Sequence, residues 1–126
     1  MKNEVRVKLL DKTEDVIINR LIELAGKRQT NVFLTNLPIS IHSLCYRNSR
    51  TNCILINNTN SINQIRYELA YSLGHITLHK GMKINCLNEA ESESPLWQQM
   101  QSQADKFARK LLYMYKIVEK HEEKAS

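Results

Sequence analysis

The chain has 126 residues, of which 42% are hydrophobic and 25% charged, with a formal net charge of +5. That is enough for one compact domain with a modest core, and too apolar to read as disordered. No apolar run approaches the roughly 18 to 20 residues that a bilayer-spanning helix needs.

Residues 1–6 carry a cation but no apolar segment, so no signal peptide is expected. Three cysteines, Cys45, Cys53 and Cys86, form no CxxC pair. An odd count without an export signal reads as reduced thiols in a cytoplasmic protein, not as a Cys45–Cys53 bridge. The positive charge has some concentration late in the chain, at Lys106, Arg109, Lys110, Lys116, Lys120 and Lys124. Asp105, Glu119, Glu122 and Glu123 interleave with these, which describes a solvated helix face and argues against direct nucleic-acid binding.

In chain order, residues 1–10 are ambiguous, with Val5, Val7 and Leu9 alternating as in a short strand. Residues 11–25 read as a first helix, with Thr13 as its cap, Glu14 and Asp15 in the first turn, and an apolar repeat at Val16, Ile17, Leu21, Leu24 and Ala25. Gly26 before Lys27 and Arg28 is the stop signal. Asn31-Val32-Phe33-Leu34 is a short β-prone run that turns at Asn36-Leu37-Pro38. Residues 40–46 form a second strand-like run, and residues 48–52 a polar turn. Cys53-Ile54-Leu55-Ile56-Asn57 is the strongest strand candidate. These runs predict a small three-stranded antiparallel sheet whose last two strands form a hairpin.

Ser61, with Gln64 three residues later, predicts a capping box for a central helix. Its buried stripe is Ile62, Ile65, Leu69, Leu73 and Ile76, and its expected end is Lys80-Gly81, with Gly81 as the C-cap. Residues 82–95 are acidic and serine-rich, a mobile loop by composition. Pro95 opens a long last helix with a stripe at Leu96, Trp97, Ala104, Phe107, Ala108, Leu111, Leu112, Tyr115 and Val118, and residues 120–126 are expected to fray. No internal repeat or domain boundary appears, so residues 1–126 form a single domain with its core at about 14–115.

The central helix carries the chemistry. In the H-E-x-x-H motif, two histidines one turn apart bind zinc and the glutamate acts as general base. Here those slots hold Tyr71-Ser72-Leu73-Gly74-His75. The second histidine is present; Tyr71 stands in the first histidine slot and Ser72 in the glutamate slot. His75 and His79 form another i, i+4 pair, yet zinc needs further ligands. Glu68 lies about 10 Å away along the helix axis, too far to share an ion with His75. His42, Cys53 and Cys86 have no spacing that recruits them. Ser72 lacks the partners that would activate a hydroxyl.

Several further segments combine with that helix: Leu37-Pro38, Tyr46, Ile54-Leu55-Ile56-Asn57, Arg66-Tyr67-Glu68-Leu69-Ala70, Leu73-Gly74-His75 with His79, and Ala104-Asp105-Lys106-Phe107-Ala108-Arg109-Lys110-Leu111-Leu112. In this order they resemble the ImmA/IrrE metallopeptidase family of phages, integrative elements and their hosts, over roughly residues 14–115. The resemblance implies an α+β, zincin-like fold: an N-terminal helix, the small three-stranded antiparallel sheet, the HExxH-position helix and the long C-terminal helix. Family members act on helix-turn-helix repressors or similar regulators. The resemblance also implies an acidic third ligand near Gln101, with Gln103 as the neighbouring position. Tyr71, Ser72 and Gln101 thus stand for a ligand, the base and a ligand.

The resulting expectation is a catalytically inactive metallopeptidase-fold protein, without a required cofactor, that binds a regulatory protein partner. Its candidate pocket is Glu68, Tyr71, Ser72, His75, His79, Gln101 and Asp105. The alternatives are a divergent zinc peptidase using His75 and His79 to cleave a helix-turn-helix repressor, and a basic nucleic-acid-binding module. A homodimer through the exposed side of the last helix is also open, and no membrane association is expected.

Overall fold

The computed structural model describes residues 7–47, 50–79 and 94–125. Its elements are β1 (Lys8–Leu9), α1 (Val16–Lys27), β2 (Thr30–Thr35), β3 (Ser43–Arg47), β4 (Asn52–Asn57), α2 (Ile62–Leu78) and α3 (Pro95–Ala125). The class is α+β, with three helices and a mixed sheet among the described residues.

The sheet differs from the expected three-stranded antiparallel one. It has four strands in the order β1-β2-β4-β3. The pairing β3–β4 is the antiparallel hairpin read from the sequence, with Leu44 opposite Leu55 and Tyr46 opposite Cys53. The pairing β2–β4 is parallel, running from Thr30 opposite Asn52 to Thr35 opposite Asn57. The two-residue β1 adds antiparallel to β2. β4 takes an interior place because Ile54 and Ile56, both fully buried, need neighbours on each side and helices beneath. Apolar patterning marks a segment as a strand but carries no information on which strand lies beside it.

Residues 36–42 carry the chain from β2 to the sheet edge, and Asn57 fastens them. Its side-chain amide donates to the carbonyls of Leu37, Pro38 and Ile41 at 3.1, 3.2 and 2.9 Å. This explains a polar side chain buried to 1% exposure at the end of the most apolar strand.

α1 begins later than its sequence suggested. Asp15, not Thr13, is the N-cap, accepting from the Ile18 N–H at 2.9 Å; the Thr13 hydroxyl instead accepts from the Asp15 N–H at 3.0 Å. The helix passes through Gly26 and stops at Arg28, and the left-handed turn falls on Gln29 (φ 55°). Asp15 also holds Arg66 of α2 through both carboxylate oxygens, at 3.2 and 2.5 Å. Burial pulls the Asp15 carboxyl upward, but the Arg66 guanidinium and the Ile18 N–H outweigh it and hold it below its ordinary value. One carboxylate therefore starts one helix and positions another.

Ser61 caps α2 as expected, accepting from the Gln64 N–H at 3.2 Å, but the reciprocal half of the capping box is missing. The Gln64 amide turns to Glu68 at 2.6 Å instead. α2 ends at Leu78 with His79 in the C-cap position. Gly81, Cys86 and nearly all of the expected 82–95 loop lie outside the described residues.

Ser94 opens α3, its hydroxyl accepting from the Trp97 N–H at 3.0 Å. Trp97, Met100, Ala104 and Ala108 form the buried stripe of α3. α3 continues helical through residues 120–125, the segment expected to fray. Tyr113, Met114, Ile117 and Val118 on its second half are exposed.

The helices lie on the sheet face that carries Val32, Cys45, Ile54 and Ile56, and the core runs from there into α2 and α3. The tightest approach is at Gly74. A Cβ there would stand 3.0 Å from the Ala104 carbonyl oxygen, 3.1 Å from the Ala104 Cα and 3.1 Å from the Phe107 ring, so backbone as well as a side chain would have to move. Gly74→Val should therefore cost about 2 kcal/mol in urea denaturation, as over-packing does in a close-packed core. Gly74→Ala should cost less, since the helix propensity of alanine returns up to about 1 kcal/mol.

Candidate functional site

α2 presents Tyr67, Tyr71, His75 and His79 at successive helical turns, and α3 crosses them with Trp97, Gln101, Gln103 and Asp105. Tyr67 and Tyr71 stack with ring centres 5.7 Å apart, and Tyr71 meets the His75 ring edge-on at 4.8 Å. Trp97 lies flat on His75, 5.4 Å between centres and 11° between planes. His75 is completely buried by this packing.

The hydrogen-bond partner of His75 is His79. The two Nδ1 atoms are 3.2 Å apart, and His79 Nε2 is 2.8 Å from the Gln103 side-chain oxygen. With that oxygen as acceptor, His79 carries its hydrogen on Nε2 and accepts on Nδ1 from the Nδ1–H of His75. His75 Nε2 is left as a lone pair, buried and without a partner among the described residues. Burial, and secondarily the neighbouring His79, push the His75 pKa down to about 4. The ring is neutral at physiological pH.

Ser72 is also fully buried, and its hydroxyl has no partner among the described residues. It fills space and has no activating base. Tyr67, Glu68 and Tyr71 of α2 line one groove of about 480 Å³ with Gln98, Gln101, Ser102 and Asp105 of α3. The predicted pocket thus splits in two. Glu68, Tyr71, Gln101 and Asp105 face the groove, whereas Ser72, His75 and His79 are buried and do not line it. Glu68 accepts from the Ser43 hydroxyl and the Gln64 amide, and Asp105 from the Tyr67 hydroxyl at 2.6 Å and from Arg109 at 2.9 Å. The Tyr67 bond, and then the Arg109 bond, hold the Asp105 carboxyl below its ordinary value. Burial and the same bond to Asp105 raise the Tyr67 phenol.

Three contributors were missed in the sequence. Tyr67 was open to discovery, being one turn before Tyr71 on the same face. Gln103 had been considered only as a ligand position, and it caps the His79 imidazole. Trp97 was assigned to a core stripe, and no spacing within α3 could pair it with a histidine on another helix. His42 is engaged with Asn60 (3.2 Å), and Cys53 alternates with buried Ile54, so it faces away from the helices. Among the described residues Cys45 and Cys53 form no disulfide.

A helix in HExxH register, laid on a small mixed sheet and crossed by a long C-terminal helix, defines an α+β domain of the metallopeptidase type. The family model for the IrrE N-terminal-like domain, peptidase family M78, matches residues 26–124, and the chain belongs to that family. Comparison with curated proteins and with solved structures returned no match.

The family implies zinc, and the described residues at the motif positions do not fit it. Tetrahedral zinc takes anionic or imidazole donors and, at a catalytic site, three from the protein. The helix offers a neutral phenol at Tyr71 and a hydroxyl at Ser72, α3 offers an amide at Gln101, and His75 commits Nδ1 to His79. Among the described residues no three of His, Cys, Asp and Glu come together as a metal-holding group.

Two outcomes follow from this packing. His75 has an ordinary pKa of 6.5 and is depressed to about 4 in the fold, so the unfolded chain binds the extra proton first as pH falls. Its contribution is fully present above pH 6.5 and is lost as pH falls through 4. Stability should drop by on the order of 3 kcal/mol across that window, and His75→Phe should flatten the drop in denaturation measured from pH 7.5 to 4. Ser72→Ala removes a buried hydroxyl that bonds to nothing. It should be neutral or stabilising by up to about 1 kcal/mol in the same assay.

Proposed function

We propose that the chain is a catalytically inactive metallopeptidase-fold protein that binds a regulatory protein, of the repressor type found in phages and mobile elements. The observation that carries this reading is the pairing of His75 with His79 beneath Trp97 and Tyr71. The one surviving histidine of the motif is used as a packing and hydrogen-bonding unit, and an aromatic ring fills the ligand slot. Hydrolysis needs a base to take a proton from water, and Ser72 cannot do so. Gln101 adds an amide where a carboxylate ligand is implied.

What remains is a scaffold with an open groove above a filled pocket, which suits holding a partner rather than cutting it. Interleaved charge on α3 speaks against direct nucleic-acid binding. A cytoplasmic location and no required cofactor complete the proposal. No described helix is long and apolar enough to cross a membrane.

The test is metal analysis of the purified protein combined with incubation against a helix-turn-helix repressor from the same genetic element. The expected result is substoichiometric zinc, with the repressor captured intact. Stoichiometric zinc, or chelator-sensitive cleavage of the repressor that His75→Ala abolishes, would overturn the proposal.

A further inference from the structure

We infer that the groove between α2 and α3 takes a cationic side chain, an arginine or lysine carried on a basic segment of the partner; this rests on the binding-protein reading above. The chain as a whole is positive at +5, yet among the described residues no lysine or arginine lines this groove. Its two charged walls are both carboxylates, Glu68 from α2 and Asp105 from α3. They differ in how their charge is met. Glu68 accepts from Ser43 at 2.5 Å and Gln64 at 2.6 Å, both neutral donors, so its charge is fixed in place without being cancelled. Asp105 is met by Arg109, four residues along the same helix and exposed to 73%, a surface pair that solvent and salt weaken.

The aromatic wall adds a second attraction. Tyr67 and Tyr71 stack 5.7 Å apart with 23° between their planes and line the groove side by side. A guanidinium or ammonium over such a face is drawn to the ring quadrupole, and a guanidinium can also stack on it. Gln101 supplies an amide oxygen within the same lining. The combination is a π face, amide acceptors and the Glu68 carboxylate, which among the described residues meets only neutral donors, beside an Asp105 carboxylate shared with the exposed Arg109. A phosphate or an acidic peptide would meet the carboxylates and be repelled. A DNA-binding regulator exposes lysine and arginine for phosphate contact, so its own DNA-facing segment has the required chemistry. Capture here and DNA binding would then compete for the same side chains.

The experiment is fluorescence anisotropy with a labelled peptide of alternating arginine and alanine, and with the aspartate-for-arginine version as its counterpart. It is run on the full chain and on Glu68→Gln, Glu68→Lys and Tyr71→Ala, with Glu23→Gln on α1 as a charge-matched control away from the groove and circular dichroism to verify each fold. The arginine peptide should bind and the aspartate peptide should not. Glu68→Gln should weaken binding roughly tenfold and Glu68→Lys more, as removing or reversing one partner of a charge pair does. Glu23→Gln should leave it unchanged, and added salt should weaken the wild type. Equal binding of the two peptides, no binding of either, or equal effects of Glu68→Gln and Glu23→Gln would overturn the inference. Any of these beside an intact captured repressor would leave the binding-protein reading standing. Stoichiometric zinc with repressor cleavage would remove that reading whatever the peptides do.

Discussion

The close approach of α2 and α3 at Gly74 is the constraint on which the rest depends. A residue without a Cβ lets the backbone of Ala104 come within 3.0 Å of where that atom would stand. Glycine inside a helix costs about 1 kcal/mol relative to alanine, and here it is offset by contact between the two helices. The crossing sets how the α3 side chains meet α2. One turn or two to one side, Trp97 falls on His75; to the other, Asp105 reaches Tyr67. A wider crossing would separate both pairs and open the interior to water.

The rest of the framework holds α2 in register for that crossing. Asp15 couples the start of α1 to Arg66, and Arg47 at the sheet edge donates to the His79 carbonyl at 2.9 Å at the other end of the helix. Between these ties, Leu69, Leu73 and Ile76 bury against the sheet and the other helices. α2 is thus fixed at both ends and along one face, while its Tyr67–Glu68–Tyr71 edge remains open to the groove.

Within this frame the motif positions of α2 carry a polar chain and an aromatic stack. A catalytic zinc site keeps an open position; here Tyr71 and Trp97 pack against the His75 ring and His79 meets its Nδ1. Burying a neutral histidine is tolerable because its Nδ1 is bonded, and the cost is concentrated in its unbonded Nε2 and in the Ser72 hydroxyl. The carboxylates and amides of the groove lie apart from the buried turn of α2 that holds Ser72 and His75.

The sequence by itself determined the helices, the hairpin and the family. Each rests on local information: Ser61 as a cap, the three-and-four spacing of Ile65, Leu69, Leu73 and Ile76, the apolar run of β4, and the ordered segments that resemble ImmA/IrrE proteins. It also marked Tyr71, Ser72 and Gln101 as neutral residues where the resemblance implies a ligand, the base and a ligand. Only the tertiary structure decided the parallel pairing of β2 with β4, the stacking of Trp97 on His75, and the division of the candidate residues between groove and core. Those depend on contacts between residues far apart in the chain, formed because burial of apolar surface brings whole elements together. A local pattern specifies which face of an element is apolar but not which partner will cover it.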